Sequence, residues 1–129
     1  MSMSTIGVPL EGFGVYCRAA AAEGAVLLKN EGHMFPLKKE EMVSVFGRCQ
    51  FETYRSGTGS GGAVNVPYAV NIYDGMRESG SFTLNEELAD IYRAWLKDHP
   101  FDNGGGGWAA EPWHQKEMVI TEEIAAAAA

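Results

Sequence analysis

Basic residues are scarce in this chain, 10 Lys and Arg against 17 Asp and Glu in 129 residues, for a net charge of −7. Phosphate neutralisation dominates nucleic-acid affinity, so an acidic chain without a basic stripe is a poor nucleic-acid binder. Lys38-Lys39 is the only adjacent basic pair, and Glu40-Glu41 follows it at once, which reads as a solvated turn. Long apolar runs are missing too, and none approaches the roughly 20 residues of a membrane helix. No basic residue precedes the apolar positions of Met1 to Leu10, so the start does not read as a secretory signal. Cysteine is limited to Cys17 and Cys49, without C-x-x-C spacing. They read as two buried free thiols in a reducing cytoplasm. The histidines His33, His99 and His114 show no H-x-x-x-H spacing, and no metal site is expected. Glu40-Glu41 and Glu86-Glu87 read as solvated pairs, not a catalytic dyad.

Glycine, in contrast, is concentrated. Between Tyr54 and Tyr68, four glycines occupy the six positions 57–62. Glycine costs backbone entropy on folding, so such a cluster points to close approach by a ligand or another backbone. Gly57, Gly59 and Gly62 also satisfy G-x-G-x-x-G. A dinucleotide site needs those glycines at the strand-to-helix turn, with an acidic residue about 20 positions on at the end of a second strand. Here Arg48 to Ser56 intervene after the strand, and Glu78 falls inside an expected helix. A phosphate-binding Walker loop fails because Ala63 follows Gly62 where lysine is needed. A tight loop without ligand remains open on these residues alone.

The rest of the chain reads as α/β. Residues 11–24 form an alanine-rich helix with Phe13, Cys17 and Ala20/Ala21 on one stripe, ended by Gly24. Val26-Leu27-Leu28 is a short apolar run before the turn Asn30-Glu31-Gly32. Met42 to Phe46 is a β-branched run expected to be a central parallel strand covered on both faces. Pro67 suits the first turn of a helix, with Val66, Val70, Tyr73 and Met76 or Arg77 at helical spacing. Thr83-Leu84-Asn85-Glu86 fits a capping box opening a helix with Leu88, Ile91, Tyr92, Trp95 and Leu96 on one face. His99-Pro100 stops it. Residues 101–116 are a long loop with four consecutive glycines, 104–107, followed by Trp108 and Trp113. Asp102 and Asn103 read as turn chemistry. Thr121 starts a last helix. One convincing strand is too few for a parallel sheet, so the chain reads as the front part of a larger, helix-rich α/β domain.

Three motifs carry a resemblance. Glu23 to Glu31 with its Val-Leu-Leu-Lys-Asn core, then Phe35-Pro36-Leu37 and the strand Val43 to Gly47, resembles the second domain of glycoside hydrolase family 3. Ser56 to Tyr68 resembles the glycine loop that follows in that family. Phe101 to Trp108, with Glu111-Pro112-Trp113, resembles a loop of the subgroup in which this domain precedes the barrel.

The resemblance implies a β-glucosidase-like retaining hydrolase without metal or organic cofactor. Its active site would lie between a (β/α) barrel and this α/β sandwich domain, of which residues 1–129 are the N-terminal part. Retention needs two carboxyl groups about 5–5.5 Å apart. The resemblance puts the nucleophile on the barrel and the acid/base glutamate in a later part of the sandwich, so no catalytic residue is expected in this chain. What it would supply is substrate contact, from Arg55, Ser56, Gly57, Thr58, Gly59, Ser60 and Trp108. Backbone N–H groups and hydroxyls can bind sugar hydroxyls, and tryptophan offers a flat apolar face. In some members the position matching Thr58 is a tryptophan that stacks on the sugar; threonine lacks that platform. Arg55 reads more readily as a surface arginine, and Trp108 and Trp113 read equally as anchors of their own loop or as contacts with the barrel.

The expected partner is an oligosaccharide or β-glucoside, with no nucleic acid and no membrane. An incomplete sheet would also leave an edge strand or helix faces open to homodimer formation. The competing classes are a non-catalytic carbohydrate-binding or interaction module on the same scaffold, and a nucleotide-binding domain.

Overall fold

The computed structural model describes residues 9–53, 68–106, 110, 112 and 114–129. The chain divides into two units, Met1–Pro36 and Leu37–Ala129.

In the first unit, α1 runs from Phe13 to Glu23 and Gly24 caps it, its N–H donating to the Ala20 carbonyl while the Ala25 N–H donates to the Ala22 carbonyl. The expected helix is present, but none of its residues is buried. Cys17 is an exposed free thiol, and so is Cys49 in the second unit, which corrects the expectation of two buried thiols. The turn at Asn30 is held by its side chain, which donates to the Phe35 carbonyl and accepts the Phe35 N–H at 2.9 and 3.1 Å.

In the second unit, β1 (Met42–Val43) pairs in parallel with β2 (Thr83–Leu84) in the register Met42 to Thr83 and Val43 to Leu84. Two further helices lie between and after them, α2 (Ile72–Ser79) and α3 (Glu86–Asp98), and α4 (Glu122–Ala127) follows the long loop. This is an α/β arrangement. The strand is shorter than the run Met42 to Phe46 suggests, and Met42 and Phe46 stay exposed. The reason is pairing: among the described residues β1 has β2 as its neighbour, and only two residues find ladder partners.

Helix starts differ from expectation in two places. α2 begins at Ile72, where the Asn71 side chain accepts the Asp74 N–H at 2.7 Å, not at Pro67, which lies outside the described residues. α3 is capped by Asn85 through the Leu88 N–H, while Thr83 and Leu84 are taken by β2. An asparagine accepts at the cap as well as a threonine does, so the local sequence offers both starts and strand pairing selects the later one. The remaining ends agree: His99 closes α3 and Thr121 caps α4.

The core follows from the α3 stripe. Ala89 packs with Tyr73 and Leu84, while Leu88 and Tyr92 pack with Met118, and Phe51 lies against both groups. Arg93 lies across the Phe51 and Tyr73 rings at 5.0 Å from each and pairs with Asp90 and Glu86. Asn85 ties strand, helix and C-terminal segment together. Its amide donates to Ser44 Oγ at 3.0 Å and to the Ala127 carbonyl at 2.8 Å, and Ser44 donates to Ala128.

Candidate functional site: two loop stems around Arg48

Each residue named as a sugar contact, namely Arg55, Ser56, Gly57, Thr58, Gly59, Ser60 and Trp108, lies outside the described residues. So does Trp113. What the structure does describe is how both loops are rooted.

The approach to the glycine segment begins at Gly47, with φ 96° and ψ 138°. This backbone region is open almost only to glycine. The conformation turns the Gly47 N–H to the buried Tyr92 hydroxyl at 2.8 Å. The Gln50 side chain bonds the Val45 and Gly47 carbonyls, both at 3.0 Å. A short 3-10 turn, Arg48–Gln50, then leads to Thr53. The Thr53 hydroxyl donates to the Cys49 carbonyl at 2.6 Å and accepts the Ile72 N–H at 3.1 Å. One hydroxyl therefore brings together the two sides of the segment that contains residues 54–67.

The tryptophan loop is closed by a different device. Asp102 donates its N–H to Gln115 Oε1, and Gln115 Nε2 donates back to the Asp102 carbonyl, both at 2.9 Å. The glutamine amide imitates a backbone pair. Beyond it the side chains of Asp102 and Asn103 accept the N–H groups of Gly104 and Gly105, which bears out the turn reading. Gly104, Gly105 and Gly106 have φ of 60°, 87° and 81°. A Cβ on Gly104 would collide with the Ala110 carbonyl, so glycine is needed there for space as well as for conformation.

Arg48 joins the two roots. It is 2% exposed. Its guanidinium pairs with Glu52 and donates to the Lys116 carbonyl at 2.6 Å and to the His99 carbonyl at 2.9 Å. Its own N–H donates to Glu117 Oε2 at 2.8 Å, while Glu117 Oε1 accepts the Met118 N–H. The guanidinium also lies 5.5 Å from the centre of the Trp95 ring, on which His99 stacks at 4.2 Å. Glu52 adjoins Thr53, and His99 and Lys116 flank the tryptophan loop, so one cation touches both stems.

Two tyrosines in this region have raised pKa values. Burial pushes Tyr92 up and the Glu117 carboxylate adds to it, against the lowering effect of the Gly47 N–H bond. Tyr73 is raised by burial and then by Glu86. Burial opposes the charge on Arg93, but Asp90 and Glu86 outweigh it and raise its pKa.

Sequence reasoning missed Arg48, Thr53, Gln115 and Glu117. Only the i,i+4 spacing of Arg48 and Glu52 hints at the cluster. No group of three metal-ligating side chains occurs among the described residues, nor any helix long and apolar enough to cross a membrane. A groove of about 620 Å³, lined by Met42, Asn85, Glu86, Glu87, Glu123 and alanines near the C-terminus, shares no residue with the Arg48 cluster.

Comparison with known proteins gives a consistent result. The glycosyl hydrolase family 3 C-terminal domain matches residues 25–129. A β-glucosidase of Ruminococcus albus is 47% identical over 108 residues, covering 84% of this chain and 11% of that protein. A β-glucosidase A of Butyrivibrio fibrisolvens is 36% identical over 110 residues, 85% of this chain and 12% of that one. Among solved structures, a β-glucosidase from Paenibacillus barengoltzii superimposes with a TM-score of 0.86 at 66% identity, over 94% of this chain and 13% of that chain. The chain thus spans between 11% and 13% of the length of these relatives. It belongs to the glycosyl hydrolase family 3 C-terminal domain family.

Proposed function

We propose that the longer protein to which this chain corresponds is a retaining β-glucosidase-like hydrolase acting on terminal β-linked sugars. The observation that carries this reading is the 66% identity to a solved β-glucosidase, sustained over 94% of the chain. In this reading residues 1–129 are part of the α/β sandwich domain, which precedes a barrel in the polypeptide. The chain contributes contacts at the rim of the cleft and not the two carboxyl groups, which retention requires about 5–5.5 Å apart. The contacts are Arg55, Ser56, Gly57, Thr58, Gly59 and Ser60 from the glycine segment and Trp108 from the tryptophan loop. Two closed stems support this, because a rim that binds a polyhydroxylated ligand must hold its loops in place.

Two free thiols support a cytoplasmic location. For the isolated chain we propose a homodimer through the uncovered sheet edge or helix faces. Phe13, Val15 and Tyr16 of α1 are exposed, which supports it. A monomer by light scattering would count against that assembly.

The function is tested with an aryl β-glucoside. The full-length protein should release nitrophenol, and residues 1–129 alone, freed of host glycosidases, should not. Activity in the isolated chain would overturn the division of labour proposed here. Sugar binding by a full-length protein that is inactive on aryl β-glycosides would favour a non-catalytic module.

A further inference from the structure

We propose that Arg48 is a positioning residue of the substrate cleft, joining the stem of the glycine segment and the stem of the tryptophan loop into one unit. The inference rests on the reading of those two loops as the rim of a sugar site.

The hydrogen bonds of Arg48 carry the argument. Each runs to a loop stem or to the segment beside it: Glu52 on one side, His99, Lys116 and Glu117 on the other. None runs to the paired residues of β1 and β2 or to the interior of a helix. The apolar groups around Ala89 and Leu88 pack the second unit, and Arg48 meets them at one edge, over the Trp95 ring. With its donors so engaged and 2% exposure, the guanidinium is not a substrate-binding group.

Arginine suits this position for a geometric reason. Its planar fork presents donors in fixed directions, so Nε and the two Nη atoms reach three acceptors that belong to different stretches of chain. A lysine ammonium is a point charge on a flexible stem and cannot hold the same three at once. Each loop also has its own closure, Thr53 to Ile72 and Asp102 to Gln115, so Arg48 is not needed to shut either loop. Its distinctive role is to set one closure relative to the other.

The test uses the full-length protein with R48K and R48M, and with T53V and Q115A as changes to a single stem. Amide hydrogen exchange is followed in peptides covering 54–67 and 103–114. T53V should speed exchange in the first segment only and Q115A in the second only. R48K and R48M should speed both together, by about tenfold or more, with the rest of the domain unchanged. On an aryl β-glucoside the two Arg48 variants should raise KM by about tenfold while kcat changes less than about threefold, because the carboxyl groups stand elsewhere.

Faster exchange in only one segment would overturn the proposal, as would a uniform rise across the domain. Wild-type KM in a folded R48K would overturn it too. If R48M does not fold, R48K alone decides through the same readouts. If the wild-type protein hydrolyses no aryl β-glycoside, the functional reading falls, while the exchange arm still decides whether Arg48 couples the stems.

Discussion

Asp102 and Gln115 exchange two hydrogen bonds of 2.9 Å, each residue both donating and accepting. A side-chain amide thus takes the place of a backbone pair across the base of this loop. The pair is exposed, so its net contribution to stability is small, at or below about 1 kcal/mol. Its effect on local order should be larger. Q115A is expected to leave the melting temperature nearly unchanged while accelerating proteolysis within residues 103–114. Q115N, one methylene shorter, should behave like Q115A because it cannot span both atoms of Asp102. Unchanged cleavage rates in both variants would show that the loop is held elsewhere.

Gly47 should tolerate no side chain. At φ 96° and ψ 138° an alanine is strained even though the nearest atom to its Cβ, Glu117 Oε2, lies 3.8 Å away. Conformation, not space, is therefore limiting, and G47A is expected to cost about 1–3 kcal/mol. Denaturant titration measures this. A cost near zero would mean that the turn into Arg48 relaxes without loss.

At Asn85, cap and tie can be separated by one substitution. N85D keeps an acceptor for the Leu88 N–H, since aspartate caps helices as well as asparagine does. It loses the donations to Ser44 Oγ and the Ala127 carbonyl, and places a carboxylate where the residue is 6% exposed. A loss of about 2–3 kcal/mol in denaturant titration is expected. Wild-type stability in N85D would mean that the two donated bonds contribute nothing net.

These cases also show what is readable in the sequence and why. The ends of α3 and α4 can be read from it because capping is local: His99 precedes Pro100, and Thr121 stands three residues before the N–H it accepts. The start of α3 is ambiguous for the same local reason. Thr83 and Asn85 both cap well, and the choice between them is made by β1, about forty residues earlier. The glycine segment and the tryptophan loop are recognisable by composition, and family similarity agrees with that recognition. Arg48 is not recognisable. Its acceptors at His99 and Lys116 are main-chain oxygens 51 and 68 residues away, and a carbonyl carries no side-chain signature. The exposed Cys17 and Cys49 depart for another reason: a thiol's preference for burial is compositional, α1 buries none of its residues, and in the 3-10 turn the buried side chains are Arg48 and Gln50 on either side of Cys49.

The two core tyrosines should respond differently to loss of the hydroxyl, and for Tyr92 that loss is linked to pH. Tyr92 accepts the Gly47 N–H at 2.8 Å, whereas Tyr73 Oη has no hydrogen-bond partner among the described residues. Y92F leaves a backbone donor unsatisfied and should cost about 1–2 kcal/mol at neutral pH; Y73F should be close to neutral. Burial raises the pKa of Tyr92 in the folded state, Glu117 adding to it. The neutral form is therefore the one the fold favours. Its contribution is fully present below the unfolded tyrosine value of about 10 and is lost as pH rises through the folded value. Melting temperatures of wild type and Y92F should converge as pH is raised above about 10, because only the wild type carries this titration. A constant gap across that range would show that Tyr92 does not ionise before the protein unfolds for other reasons.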